Sequence, residues 1–502
     1  MAKKKCIMVF VHGWSVTHTD TYGSLPERLH KEAEASGLEL QIKDIFLGRY
    51  ISFHDEVQLR DISHAFAAAV NEQLRPLLTQ GQRFICITHS TGGPVIRDWW
   101  HYYYQQQAHS SCPMSHLIML APANYGSALA QLGKGRLSRM KFWFGGVEPG
   151  QGVLDWLELG SQQAWQLNNA WLNVDEKLIS AKGIFPFVLT GQSINRALYD
   201  NLNSYTGESG SDGVVRVAAA NLNSRCIKLI QQKPRKKGRQ WLAPELEFSE
   251  LTQAPQTALR VLTGKSHSGK KMGIMRSVTK KMNDKKSQEL ISAILDCLKV
   301  SSKTQYKALV KHFSLATQTV QEQEKVEVDS HFFLSDTYFF HDRYAMVIFN
   351  IHDQQGYAIS DFDLILTAGP RSDPNHLPRG FFVDKQRNQK HPNTITYYFN
   401  YDVMKGTREI RSEEGQILRQ SSLGADMLGI KVIPRPVEGF VHYLPCEISA
   451  SRDLLDKVLQ PNSTTMIDIC LQRVLSSNIM RLDKGTKASS FKRTKPGDNI
   501  VI

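Results

Sequence analysis

The chain has 502 residues, too many for one ordinary core, so two or three domains are expected. With 41% hydrophobic and 22% charged residues and no stretch near the ~20 apolar residues of a spanning helix, it is neither a disordered chain nor a multi-span membrane protein. Its net charge of +13 is concentrated: residues 225–286 hold sixteen Lys and Arg against four Asp and Glu, whereas residues 301–502 are almost balanced.

At the N-terminus, Lys3-Lys4-Lys5 precedes six apolar residues and then His12-Gly13. A signal peptide needs an apolar region of ~7–15 residues and a small-residue cleavage site, so this run is expected to be a buried first strand of a chain made without a conventional export signal. Apolar runs at 6–11, 40–46, 84–88, 117–120, 184–190 and 258–263 alternate with helical periodicity at 24–36 and 62–78. A further helix opens at Pro94 and runs into Trp99 and Trp100. That alternation predicts an α/β domain over residues 1–300, a doubly wound and mostly parallel sheet.

Residues 133–205 break the alternation and are rich in glycine and aromatics, among them Phe142, Trp143, Phe144, Trp156, Trp165 and Trp171. They read either as an inserted helical cap or as an ordinary pair of core helices with large side chains. After a helical stretch at 287–300, β-branched and aromatic runs separated by turn residues predict a C-terminal antiparallel β domain, a sandwich spanning 301–502. It carries no catalytic motif and is expected to serve targeting or partner binding. The seven cysteines are odd in number and contain no Cys-x-x-Cys pair, which argues against both a disulfide framework and a zinc site.

Four features of the first domain bear on chemistry. Thr88-His89-Ser90-Thr91-Gly92-Gly93 lies between an apolar strand and the helix opened by Pro94. A serine on such a turn stands above the sheet at the positive end of a helix, and the small residues let strand and helix approach. The first position of this Gly-x-Ser-x-Gly pattern is Thr88, bulkier than the usual residue. Val11-His12-Gly13-Trp14 follows the first strand, where a backbone turn can aim an amide at a developing oxyanion; the amides of Trp14 and Thr91 are the candidate donors. Asp212, in Ser209-Gly210-Ser211-Asp212-Gly213-Val214-Val215, is a candidate to orient an imidazole, with Asp200 and Glu208 as rivals. His267, in Ser266-His267-Ser268-Gly269, is the one histidine between His116 and His312. If a Ser–Asp–His order holds within the first domain, no other histidine follows the acid.

With these motifs the chain resembles the α/β-hydrolase lipases over residues 5–300. The segment Pro122-Ala123-Asn124-Tyr125-Gly126-Ser127 looks like the Pro-x-x-x-Gly-Ser stretch such lipases carry, and Ser-Asp-Gly-Val-Val is similar to their acid loop. Within the group it looks nearest to bacterial lipases of the kind also seen in inositol-deacylases and in type VI phospholipase effectors. The resemblance implies a serine lipase with Ser90 as nucleophile, His267 as base and Asp212 as its partner, needing no metal or cofactor. It also implies an antibacterial effector exported by a non-classical route, with an immunity or carrier protein bound at the cap or C-terminal domain.

The basic window brackets His267, with Lys233, Arg235, Lys236, Lys237 and Arg239 before it and Lys265, Lys270, Lys271 and Arg276 after it. On the rim of a lipase cleft these charges would dock the protein on anionic headgroups, which favours membrane phospholipid as substrate. No nucleic-acid module accompanies them. The competing expectations are an esterase of small soluble esters and a catalytically silent binding protein.

Overall fold

The computed structural model describes residues 4–12, 22–47, 54–79, 81–106, 111–131, 150–194, 208–238, 240–331, 334–412 and 414–475. Five strands, β1 (Lys4–His12), β2 (Leu38–Phe46), β3 (Phe84–His89), β4 (Met114–Leu120) and β5 (Phe185–Gly191), join Ala258–Leu262 in one six-stranded sheet. Every pairing is parallel, in the order Ala258–Leu262, β5, β4, β3, β1, β2. Each strand falls on one of the predicted apolar runs. Helices cover both faces of such a sheet, so β5 is buried along its whole length and β3 from Phe84 to Thr88.

The helices Gln151–Leu157 and Gln162–Leu172 bring Val153, Trp156, Leu167 and Trp171 into the same core. Trp171 meets Trp100 edge-on at 6.1 Å and lies under the Arg97 guanidinium at 5.7 Å. The described part of the expected cap is therefore a core helix pair followed by a central strand. The rest of that window, residues 133–149 and 195–205 with Phe142, Trp143 and Phe144, lies outside the described residues.

The second half is a sandwich of a six-stranded and a three-stranded sheet. The larger runs Phe382–Arg387, Thr394–Asn400, Tyr344–Asp353, Ser463–Leu471, Arg225–Gln231, Leu246–Gln253; the smaller runs Phe362–Ala368, Met427–Pro434, Cys446–Ser451. The smaller sheet is antiparallel, while the larger is mixed, because Ser463–Leu471 runs parallel to both its neighbours.

A division at residue 300 does not describe this architecture, and the difference runs in both directions. Two strands of the larger second sheet, Arg225–Gln231 and Leu246–Gln253, come from before residue 300. Helix Lys303–Gln323, beyond it, packs on the edge strand of the first sheet. On that strand Val261 N donates to Thr317 Oγ1 at 3.0 Å, and Tyr306 Oη donates to the Pro186 carbonyl of the neighbouring β5 at 2.6 Å. With that edge covered, the apolar run around Ile227 and Leu229 finds its partner in Ser463–Leu471 instead.

The alternation along Tyr344–Asp353 explains how the halves adhere. Tyr344, Met346 and Ile348 pack into the hydrolase core with Tyr398 and Met466, while Ala345, Val347, Phe349 and Ile351 pack into the sandwich core. Both faces of this sheet are buried, so it reads as a continuous apolar run and forms a layer shared by two cores.

Candidate active site

Strand β3 ends at His89 and helix Gly92–Trp100 starts two residues beyond Ser90. The turn is sharp enough to hold Ser90 at φ +54°, a left-handed conformation that non-glycine residues seldom adopt. It is pinned by Ser90 N donating to the Leu120 carbonyl at 3.0 Å and by Gly93 and Ala123 amides donating to the Ser90 carbonyl. A Cβ on Gly92 would lie 3.2 Å from Thr88 Cβ, and one on Gly93 would lie 2.7 Å from Pro122 Cβ. The bulk of Thr88 is thus accommodated by glycine at position 92.

His267 reaches the same point from the loop after Ala258–Leu262. Its Nδ1–H donates to Asp212 Oδ2 at 2.9 Å, and its Nε2 lies 3.1 Å from Ser90 Oγ. A carboxylate can only accept, so Nδ1 carries the proton and Nε2 is left to accept from the serine hydroxyl. Asp212 is fully buried; its Oδ1 accepts from the amides of Val214 at 3.0 Å and Val215 at 2.7 Å. The His267 amide also donates to the Asp212 carbonyl at 2.9 Å, so main chain and side chain both tie the pair. Ser127 Oγ, from the Pro-x-x-x-Gly-Ser segment, donates to the Val214 carbonyl at 2.6 Å and holds the loop from the other side. A hydroxyl, an imidazole and a buried carboxylate in this order can deprotonate the hydroxyl as it attacks a carbonyl carbon.

Of the rivals for the acid, Glu208 instead pairs with Arg216, and Asp200 lies outside the described residues. Thr91 caps the helix after Ser90, and among the described residues nothing accepts its amide proton, which leaves it free for an oxyanion. The other candidate donor, Trp14, lies outside the described residues.

The basic window divides. Lys233, Arg235, Lys236 and Lys237 are exposed on and just before a hairpin formed by Arg235–Lys237 and Gln240–Leu242; Arg239 lies outside the described residues. Lys270, Lys271, Arg276, Lys280, Lys281, Lys285 and Lys286 are exposed beyond His267. Lys265 departs from the expected rim. It is buried, donates to Ser277 Oγ at 2.7 Å, and burial lowers its pKa.

Two features escaped the sequence reading. His89 lies against His267, though its place in the elbow motif marked it for attention. Arg216 follows the acid loop and is buried against Glu208, Asp384 and Tyr398. The last two lie more than 160 positions along the chain, so no local signal pointed to them.

The parallel sheet, the elbow serine and the order of the loops define an α/β hydrolase. No protein-family model matches the chain, and neither does any curated protein. Solved structures do. Phospholipase PlaB from Legionella pneumophila is 43% identical, with 97% of this chain and 98% of that one covered and a TM-score of 0.83. The same phospholipase in complex with thio-NAD gives 41% identity, the same coverage and a TM-score of 0.81. The chain belongs to the PlaB phospholipase family and is a carboxylic ester hydrolase of the lipase type.

Proposed function

We propose that the protein hydrolyses membrane phospholipids through an acyl-enzyme on Ser90. The observation that carries this reading is the chain of contacts from Ser90 Oγ to His267 Nε2 at 3.1 Å and from His267 Nδ1 to Asp212 at 2.9 Å. His267 takes the hydroxyl proton as Ser90 attacks the ester carbonyl and returns it to the departing alcohol. Asp212 fixes the imidazole tautomer and stabilises the imidazolium. The Thr91 amide, at a helix N-terminus, stabilises the oxyanion. Water activated by His267 then releases the fatty acid.

Two observations support a membrane surface as the site of action: phospholipid is the substrate class named for the PlaB relatives, and exposed apolar side chains lie on and near the basic hairpin. Leu242 is half exposed there, Lys236 Nζ lies 4.2 Å above the Trp241 ring, and Trp241 contacts His442, two residues beyond exposed Phe440. Cations interleaved with aromatic and aliphatic side chains suit an anionic interface.

The test is to incubate the full chain and its Ser90→Ala variant with phospholipid vesicles and to identify the products. Free fatty acid and lysophospholipid released by the wild type alone support the reading. Release by both refutes the role of Ser90, and hydrolysis of short soluble esters without action on vesicles refutes the substrate class.

A further inference from the structure

The loop that carries Asp212 is seated on the C-terminal sheet. Arg216 closes the loop. It is 2% exposed, and its Nε and Nη2 donate to the Glu208 carboxylate at 2.7 and 2.8 Å, joining the two ends of the segment 208–216. The same Nη2 donates at 2.5 Å to Asp384 on strand Phe382–Arg387, and the guanidinium lies 4.1 Å above the Tyr398 ring on strand Thr394–Asn400. Tyr398 is fully buried, and its hydroxyl lies 3.1 Å from the Ser209 carbonyl and 3.2 Å from that of Gly210. Its ring stacks on Tyr344 at 4.9 Å.

Gly210 shows how closely the loop is pressed. It adopts φ +73°, and a Cβ there would lie 2.3 Å from Tyr344 and 2.4 Å from the Tyr398 hydroxyl. Within the loop, Val217 N donates to the Gly210 carbonyl at 2.9 Å and Asp212 N to the Val215 carbonyl at 3.2 Å. Contacts therefore run unbroken from Asp384 and Tyr398 through Arg216 and Gly210 to the carboxylate that holds His267. Burial pushes the Glu208 carboxyl up and Arg216 opposes it, so the cation between the two acids is integral to the arrangement.

We infer that Arg216, Asp384 and Tyr398 are positioning residues for Asp212, so that the C-terminal sheet completes the hydrolytic site rather than serving targeting alone. This rests on the reading of Asp212 as the partner of His267. Solvation alone does not require these contacts: a loop carrying an aspartate could satisfy its own amides, as Val214 and Val215 do here. What the sheet adds is a fixed attitude of that loop relative to Ser90. A misplacement of order 1 Å at a reacting group can cost about a hundredfold in rate.

The test uses the full chain with Tyr398→Phe, Asp384→Asn and Arg216→Lys, assayed on a short soluble ester and checked for folding by near-UV circular dichroism. Asp384→Asn is nearly isosteric and stays informative if Arg216→Lys does not fold. Expected is a kcat lowered about tenfold to a hundredfold with KM unchanged, smallest for Tyr398→Phe, which keeps the ring under Arg216. The effect should vanish in an Asp212→Asn background, measured above the residual rate of Ser90→Ala, because residues acting through Asp212 have nothing left to position. Folded single variants with wild-type kcat overturn the inference. So does a loss equally large in the Asp212→Asn background, which marks a general structural role. Wild-type kcat in Asp212→Asn itself overturns the underlying assignment of Asp212, a result distinct from either.

Discussion

His89 Nε2 lies 3.2 Å from the main-chain carbonyl oxygen of His267, and the two imidazole rings are 4.6 Å apart between centroids. Burial, with the adjacent His267, holds the His89 pKa well below its ordinary value. His89 is therefore a neutral donor that steadies the backbone of the histidine loop, and it adds no positive charge beside a ring that becomes cationic during turnover. His89→Phe keeps the ring contact and removes the donor. With a net worth of about 0.5–1.5 kcal/mol for one hydrogen bond, kcat on a soluble ester should fall about two- to tenfold. Because burial and the adjacent His267 hold the His89 pKa well below its ordinary value, the variant should lower the pH–rate curve around neutral pH without changing its shape. A displaced acid limb in the variant would contradict this assignment.

Ser90→Ala, His267→Ala and Asp212→Asn should each lower ester hydrolysis by several orders of magnitude, roughly 10³–10⁶. The losses should not add, since a relay missing one member gains little from the other two. Steady-state rates of the three single variants and of the Ser90→Ala/His267→Ala pair check this. Near wild-type turnover in His267→Ala would remove His267 from the mechanism, and a multiplicative loss in the pair would mean that the residues act independently.

A second histidine–aspartate pair, remote from the site, offers a test of stability. His352 and Asp468 sit on adjacent parallel strands with Nε2 and Oδ2 3.1 Å apart. The hydrogen bond to Asp468 raises the His352 pKa; burial pushes Asp468 up, but hydrogen bonds from His352 and Asn350 and the charges of His352 and Lys228 together outweigh it and leave Asp468 lowered. A raised histidine stabilises below its unfolded pKa of about 6.5, and the gain is lost as pH rises through its folded value. A depressed aspartate stabilises above about 3.9, and its gain is lost as pH falls through its folded value. The pair therefore contributes most between about pH 4 and 6.5. The Tm difference between wild type and His352→Gln should be largest near pH 5.5 and shrink by pH 9. Equal differences at the two pH values would show that the pair does not titrate as a unit.

The parts of this molecule that were legible in sequence are those whose cause is local. Runs such as Phe84–Thr88 and Phe187–Leu189 are apolar because each strand is covered on both faces, and that holds whatever lies beside them. Ser90 and His267 each follow closely on a strand, and all three of Ser90, Asp212 and His267 have glycine nearby, so their order and their neighbours marked them. What was not legible depends on pairing across long separations. Nothing near Arg225 announces that it will lie opposite Thr465, and nothing near Gly210 announces Tyr398. Charge misled in one place: Lys265 counts as a cation in the basic window, yet it is buried and donates to Ser277 Oγ at 2.7 Å.

The division of that window makes the membrane prediction sharper than a single basic rim would. The hairpin cations Lys233, Arg235, Lys236 and Lys237 belong to the sandwich, whereas Lys270, Lys271 and Lys285 lie on the hydrolase side of the chain beyond His267. If the hairpin docks on anionic lipid, replacing its four cations by serine should weaken vesicle binding and vesicle hydrolysis together. At about 1 kcal/mol per cation near the surface, losing three productive contacts costs roughly a hundredfold in membrane affinity. The rate on a short soluble ester should not change, because Ser90, Asp212 and His267 are untouched. Salt should reproduce the effect, since the Debye length falls from about 10 Å at 0.1 M to about 3 Å at 1 M. Uncharged vesicles should bind both proteins equally, through Leu242 and Phe440 alone. Sedimentation with anionic and neutral vesicles at two salt concentrations separates these terms. Equal binding of wild type and the fourfold variant to anionic vesicles at low salt would mean that the hairpin is only a solvated face, and that the substrate surface is met elsewhere.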